Sequence, residues 1–197
     1  MYNGKTSQVF KTCEVCLLVF MNIAIPADDY RIWERLTLSV PEPLDFRLHQ
    51  QYLFVGDNGA GKSSFIKRVF LPAFEAQADR RFLLFYITQD FLMQFYAIKA
   101  HSAFHQRENS VIHSPEDAIA YMYACHRRAL KEDTALAAVF DESEAVVRLR
   151  PLIEEIATLR SMILVITHQQ ELMDALPNAH RLEFRRIDPQ RSEARLR

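Results

Sequence analysis

The stretch that decides the fold joins an apolar run to a glycine-rich segment: Tyr52-Leu53-Phe54-Val55-Gly56-Asp57-Asn58-Gly59-Ala60-Gly61-Lys62-Ser63-Ser64. Residues 52–55 are continuously apolar, which is typical of a strand covered on both faces in a parallel sheet. A helical pattern over residues 65–70 follows the glycines. The sequence therefore predicts a strand, a tight loop and a helix in immediate succession.

This loop has the spacing of a phosphate-binding site. Residues 56–63 match G-x-x-x-x-G-K-[ST], the P-loop pattern. Glycines allow the backbone N–H groups to turn toward phosphate oxygens, and the following helix adds its dipole. We expect Lys62 to reach the β- and γ-phosphates of a nucleotide and the Ser63 hydroxyl to ligate Mg²⁺. The residues expected to contact the nucleotide are Gly56, Asp57, Asn58, Gly59, Ala60, Gly61, Lys62, Ser63 and Ser64.

Glycine usage supports this interpretation. The chain of 197 residues has only 4 glycines, and Gly56, Gly59 and Gly61 are three of them. A chain so poor in glycine has concentrated it where a phosphate loop requires it. The same count excludes any other glycine-dependent motif after Gly61.

Composition narrows the class of protein. Apolar types make up 49% of residues, charged types 25%, and the net charge is -1, as expected for a globular domain. A net charge near zero argues against a surface devoted to nucleic acid or membranes. The 3 cysteines cannot build a disulfide framework, so we expect a reducing, cytoplasmic location.

The remaining pattern predicts an α/β domain. Apolar runs over residues 82–87, 137–140 and 162–166 alternate with helical patterns, which indicates a mainly parallel central sheet flanked by helices. Two alternating runs, residues 36–40 and 44–48, predict a small N-terminal antiparallel β element, the two strands joined tightly at Pro41-Glu42-Pro43.

These patterns divide the chain into three parts. The domain is expected over residues 26–187, after an extension over residues 1–25 and before a basic tail, residues 188–197, that we expect to be frayed. The extension contains an apolar stretch, residues 15–21, that is too short to cross a bilayer. Met21 as the true first residue is an open alternative that N-terminal sequencing would test.

Two further apolar runs end in polar residues. Residues 137–140 lead into Asp141-Glu142, and residues 163–166 lead into Thr167-His168. Because ligands bind at the carboxyl ends of parallel strands, we expect these side chains to lie beside the P-loop. Asp141 would hold Mg²⁺ through water, Glu142 would polarise the attacking water, and His168 would donate to the γ-phosphate.

Together these segments resemble the ATP-binding cassette (ABC) ATPases over about residues 30–187. Residues 56–64 are similar to the family's Walker A segment, residues 137–142 to Walker B with its catalytic glutamate, and residues 166–168 to the switch-histidine strand. Residues 86–90 resemble the Q-loop, which implies that Gln89 ligates Mg²⁺ and water. The resemblance implies a P-loop NTPase fold, ATP with Mg²⁺, and an adenine stacked on Tyr30 or Trp33.

The resemblance fails at the surface that a partner subunit meets. ABC ATPases usually pair head to tail, each supplying a Ser-Gly-Gly signature to the other's γ-phosphate, and this chain has no glycine after Gly61. The matching place holds Ser114-Pro115-Glu116-Asp117, whose carboxylates would repel a phosphate. Asp141 and His168 are also closer in sequence than is usual, and Ser143-Glu144-Ala145 leaves little room for the usual D-loop. We therefore expect a degenerate ABC-type domain that hydrolyses ATP slowly on its own.

Three functions remain open. The first is an ATPase subunit of a larger assembly, with a protein partner or as a homodimer, in transport or on DNA, although only the arginine-rich tail suggests DNA. The second is a small-molecule kinase, with Arg127-Arg128 as a lid. The third is an ATP-binding regulator that does not hydrolyse. No segment predicts a membrane span, so any membrane part would be another chain.

Overall fold

The computed structural model describes residues 22–78, 81–105, 112–141 and 150–197. The strands, in chain order, are β1 (Asn22–Ile25), β2 (Asp28–Trp33), β3 (Leu36–Val40), β4 (Leu44–Arg47), β5 (Gln51–Gly56), β6 (Phe82–Ile87), β7 (Ala135–Asp141), β8 (Ser161–Ile166), β9 (His180–Asp188) and β10 (Arg191–Leu196). The helical elements are α1 (Lys62–Phe65), a π-helical segment (Ile66–Phe70), α2 (Leu71–Gln77), α3 (Phe91–His105), α4 (Pro115–Ala129), α5 (Arg150–Ala157) and α6 (Gln170–Ala175).

The main sheet has the order β2-β3-β10-β9-β5-β8-β7-β6. The predicted buried strands lie in one half of this sheet, and that half is parallel. There β5 pairs with β8 and β9, and β7 pairs with β6 and β8. Every residue of β7 and β8 is buried, as their continuous apolar sequences require. The structure thus confirms the α/β class with a mainly parallel central sheet.

The core lies on both faces of this sheet. On one face Phe54 packs with Phe65 and Phe70 from the helical stretch after the P-loop. On the other face Leu53 packs with residues of α3, α4 and α5, including Ile119 and Ile156. Adjacent residues of β5 thus face opposite layers, which fixes β5 in the middle of the molecule. The carboxyl end of β5 leads directly into the P-loop.

The small antiparallel element exists, but its strands pair differently from the prediction. β3 and β4 do not pair with each other: β3 pairs with β2, and β4 pairs with β1 in a separate two-stranded sheet. The reason lies in Pro41-Glu42-Pro43 between them. Two prolines fix their own φ angles and favour extended neighbours, so the connection carries the chain away from β3 instead of reversing it.

The prediction of a frayed basic tail is wrong. Within residues 188–197, β10 pairs antiparallel with β9 and parallel with β3. Ser192 and Ala194 are fully buried, whereas Arg191 and Arg195 on either side of them are exposed. This alternation of buried and exposed residues is typical of a strand, although the number of arginines in the segment suggested a solvated tail. Residues 22–25 of the predicted extension likewise belong to the fold, as β1.

Helix α4 begins directly after Ser114, which is its N-cap. The Ser114 hydroxyl accepts from the Asp117 backbone N–H, and the Asp117 carboxylate accepts from the Ser114 N–H, forming a capping box. The His113 N–H also donates to the Asp117 carboxylate. The backbone donors of His113 and Ser114, in that order, hold the pKa of Asp117 below its ordinary value.

In the described ranges no helix is long and apolar enough to cross a membrane.

Candidate nucleotide site

The P-loop turns sharply between the end of β5 and the start of α1. A Cβ on Gly56, whose φ is +138°, would lie 2.1 Å from the backbone oxygen of Phe184 in β9. Gly61, at φ +98°, is the residue immediately before α1. The close approach at Gly56 and the left-handed backbone at Gly61 therefore both require glycine.

The Lys62 side chain folds back onto the loop that precedes it. Its side chain is buried, and its Nζ donates to the backbone oxygens of Gly56 at 2.7 Å and Asp57 at 3.0 Å. The same Nζ lies 3.0 Å from the Nε2 atom of His168, at the end of β8. The structure therefore brings the P-loop lysine and the predicted switch histidine into direct contact.

Ser63 and Asp141 also meet. The Ser63 hydroxyl donates to Asp141 Oδ1 at 2.6 Å, which joins the first turn after the P-loop to the carboxyl end of β7. Asp141 is fully buried. These are two of the three side chains that the sequence assigned to Mg²⁺, and they lie together although 78 positions separate them.

Tyr86 is a member of this network that the sequence analysis gave no role. Its hydroxyl donates to Asp141 Oδ2 at 3.2 Å from β6, the strand that pairs with β7. Burial, then the Asp141 charge and the hydrogen bond to it, raise the pKa of the Tyr86 phenol well above its ordinary value. The phenol therefore remains a donor. The signal available in the sequence was the Tyr86 hydroxyl, the one polar side-chain group in the otherwise apolar run of residues 82–87.

A cavity of about 460 Å³ opens beside these residues. Its walls are formed by Trp33, Leu36, Asn58, Gly59, Gly61, Lys62, Ser63, Ser64 and Gln89. Gln89, from the predicted Q-loop, thus faces the same space as the P-loop. Asp57 and Ala60 do not line the cavity, and Ala60 is fully buried.

The two aromatics proposed for adenine have different positions. Trp33 lines the cavity, is 54% exposed, and donates from Nε1 to Ser64 Oγ at 3.3 Å. The Arg68 guanidinium lies 4.9 Å from the centre of the Trp33 ring. Tyr30 does not line the cavity, and its hydroxyl donates to Pro26 O at 2.8 Å. Of the two aromatics, Trp33 is therefore the one that lines the cavity.

Glu142 and Ser143-Glu144-Ala145 lie outside the described residues. Arg127 and Arg128, the lid proposed for a kinase, occupy the last turn of α4 and do not line the cavity. Ser114, Pro115, Glu116 and Asp117 form the start of α4, where the capping box accounts for Ser114 and Asp117.

The donor set suits Mg²⁺ carried in with a nucleotide. Hydroxyl and carboxylate oxygens are hard ligands, and Mg²⁺ usually binds one or two carboxylates together with substrate phosphates. Ser63 and Asp141 supply this kind of set at the edge of the cavity. In the parts of the chain that the structure describes, no group of three or more His, Cys, Asp or Glu side chains is arranged to hold a metal by itself.

Comparison with known proteins identifies the fold. No protein-family model matches the chain, and no curated protein matches it. Among solved structures, a chain of the complex of archaeal ribosomal stalk protein aP1 with the archaeal ribosome recycling factor aABCE1 has a TM-score of 0.50 at 17% identity, covering 98% of this chain and 41% of that one.

Two further similarities are weaker. A structure named RNase-L Inhibitor gives a TM-score of 0.49 at 18% identity, covering 87% of this chain and 38% of that one. A KaiC-like protein from the archaeon Pyrococcus horikoshii gives 0.40 at 14% identity, covering 77% and 80%. This chain thus spans about two-fifths of the length of the matched chain in the aABCE1 complex and of the RNase-L Inhibitor chain. At 17% identity the similarity to the chain of the aABCE1 complex shows the fold alone, the α/β fold of P-loop NTPases.

Proposed function

We propose that this chain binds ATP with Mg²⁺ and hydrolyses it. The observation that carries the proposal is the 2.6 Å hydrogen bond from Ser63 Oγ to Asp141 Oδ1 at the edge of the cavity. It links the P-loop to the acidic strand end in the combination that Mg²⁺-dependent phosphoryl transfer uses. Neither the motif nor the strand end alone would support this chemistry as strongly.

Each residue of the site then has a defined task. The backbone N–H groups of residues 56–64 hold the phosphates, and the Lys62 ammonium, now bonded to two loop carbonyls, turns to the β- and γ-phosphates. Ser63 and Asp141 would hold Mg²⁺, Asp141 through water, and Gln89, which lines the same cavity, would ligate Mg²⁺ and water. When bound, Mg²⁺ neutralises phosphate charge.

Two residues act on the attacking water and the terminal phosphate. Glu142, directly after β7, polarises the water, an assignment that rests on sequence alone. His168 donates to the γ-phosphate, and its present contact with Lys62 Nζ, 3.0 Å, supports a position next to that phosphate. Both assignments follow from the ABC-like order of segments.

Turnover by the isolated chain is proposed to be slow. No glycine follows Gly61, so no Ser-Gly-Gly signature can reach a second nucleotide in trans. A partner protein or a second copy would supply the missing charge stabilisation. We propose a cytoplasmic nucleotide-binding subunit of a larger assembly, in transport or on DNA.

A regulator that binds ATP without hydrolysing it is the second candidate, and the missing signature favours it. The kinase alternative loses support because Arg127 and Arg128 do not line the cavity.

Phosphate release from Mg·ATP, measured for the natural sequence, Lys62→Ala and Glu142→Gln, tests the proposal. We expect slow release that both substitutions abolish. Binding of Mg·ATP without release by the natural sequence, with binding lost in Lys62→Ala, would favour the regulator. Transfer of phosphate to a nucleoside or another small acceptor, in place of water, would contradict hydrolysis and support a kinase.

A further inference from the structure

The β9–β10 hairpin extends past the P-loop. In the register of β5 with β9, Gly56 pairs with Phe184, so the residues of β9 after Phe184 project beyond the end of β5. β5 turns into the P-loop at that level. The tip of this hairpin therefore borders the phosphate loop.

Because side chains alternate between the two faces of β9, only one of the neighbouring residues Arg185 and Arg186 lies on the side of the P-loop. Phe184 packs against Phe65 of α1, with ring centres 5.6 Å apart, so its side of the strand is the side of the P-loop helix. Arg186 lies two residues later, on the same side, whereas Arg185 points to the opposite face. The Nη1 atom of Arg186 lies 3.6 Å from the position that a Cβ on Gly59 would occupy.

The hairpin holds Arg186 in this position. Its Nε donates to Asp188 O at 3.3 Å and its Nη2 to Pro189 O at 3.1 Å. The tip itself is anchored, because Thr37 N donates to Gln190 O at 2.8 Å. An arginine on an anchored turn is preorganised, which reduces the entropy lost when it meets a ligand.

Arg186 differs in its ion pairing from three other arginines of the hairpin. Among the described residues no carboxylate forms an ion pair with it, whereas Arg191, Arg195 and Arg197 of the same hairpin pair with Asp29, Glu193 and Glu183, respectively. The side chain is exposed, and its guanidinium is beside Gly59, a residue of the cavity wall. A planar guanidinium is well suited to bind phosphate oxygens in a bidentate manner.

We propose that Arg186 is a specificity-determining residue that recognises the terminal phosphate of a nucleoside triphosphate. The proposal rests on the proposed function, because it requires a nucleotide on the P-loop. It gives the chain a cationic contact in cis on the open side of the loop, where the sequence offers no signature in trans. The site would thereby prefer a triphosphate to a diphosphate.

The test measures affinity for two probes, a non-hydrolysable ATP analogue and ADP, both with Mg²⁺, by titration calorimetry on the full chain. For Arg186→Ala we expect the affinity for the ATP analogue to fall about fivefold, the effect of a charge-assisted contact discounted for exposure. The affinity for ADP should change less than about twofold, since ADP lacks the terminal phosphate. Arg186→Lys should retain most of the preference, because it retains the charge.

Arg185→Ala is the matched control, with the same charge removed from the adjacent position on the opposite face. Arg186→Gln is the second variant, which removes the charge but keeps a polar side chain at the hairpin in case Arg186→Ala unfolds. Equal losses for both probes, or the same loss in Arg185→Ala, would overturn the role of Arg186. A natural chain that binds both probes equally would also overturn it, while leaving the nucleotide site intact. Binding of neither probe would contradict the proposed function itself.

Discussion

The candidate site has a buried part, called the floor, which includes Lys62 and Asp141, and an exposed part, called the rim, which includes Trp33 and Arg186. The two parts are built differently. On the floor, Lys62 and Asp141 are buried and satisfied by hydrogen bonds from three separate strand ends. On the rim, Trp33 and Arg186 are exposed and contact the P-loop from β2 and β9. Buried polar groups must be paired within the protein, so the floor is fixed without a ligand. The rim is free to respond to one.

The largest effect is expected for Gly56→Ala. Its Cβ would lie 2.1 Å from Phe184 O at φ +138°, so the backbone of β9 or of the loop must move. We expect the free energy of unfolding to fall by about 3 kcal/mol, the sum of backbone strain and displaced packing.

Gly59→Ala is the control for this change, because its nearest neighbour, Arg186 Nη1, would be 3.6 Å away at φ +76°. We expect a loss of about 1 kcal/mol there, from the left-handed backbone alone. Urea denaturation of both variants measures the difference, and equal stabilities would show that the close approach at Gly56 does not exist.

Asp141→Asn tests the floor while leaving the shape of the side chain unchanged. The amide keeps the volume of the carboxylate but loses the charge that faces Ser63 and Mg²⁺. We expect Mg²⁺-dependent phosphate release to fall about a hundredfold, comparable to the loss of one preorganised electrostatic contact. The exposed Asp133→Asn should leave release unchanged. Release at the natural rate in Asp141→Asn would remove Asp141 from the proposed site.

Trp33→Ala tests the rim. Stacking on a base contributes about 1–3 kcal/mol, so we expect nucleotide affinity to fall about tenfold. Trp33→Phe should restore part of it, since a smaller ring still stacks. Tyr30→Ala should leave nucleotide affinity unchanged, because Tyr30 does not line the cavity. A larger loss in the Tyr30 variant than in Trp33→Ala would reverse this assignment.

The smallest effect is expected for Tyr86→Phe, which removes only the hydroxyl that donates to Asp141 Oδ2. Asp141 keeps its bond from Ser63, so we expect the Mg²⁺ concentration for half-maximal phosphate release to rise about threefold, the effect of one modest hydrogen bond. Tyr96→Phe, on the exposed face of α3, is the control. An unchanged Mg²⁺ requirement would mean that Tyr86 does not position Asp141.

The floor could be predicted from the sequence because its signals are local. Asp141, His168 and the P-loop that contains Lys62 each come after a continuous apolar run, and parallel strands deliver their carboxyl ends to one edge. These residues were therefore predictable as a group once the strands that begin near residues 52, 137 and 163 were found.

The rim could not be predicted in the same way, because it depends on pairings between distant segments. Residues 188–197 contain enough arginine to suggest a solvated tail, yet Ser192 and Ala194 carry a strand that pairs with β3. Arg186 meets the P-loop only because that hairpin forms. Tyr86 meets Asp141 only through the packing order of β6 and β7.

The central claim is that the buried floor is a nucleotide site, and Mg·ATP binding by calorimetry tests it most directly. The natural chain is compared with Lys62→Ala and with Lys67→Ala, a control on the same helical stretch whose side chain is exposed. The account predicts binding by the natural chain and by Lys67→Ala, and its loss in Lys62→Ala. Equal binding in all three, or none in the natural chain, would contradict it.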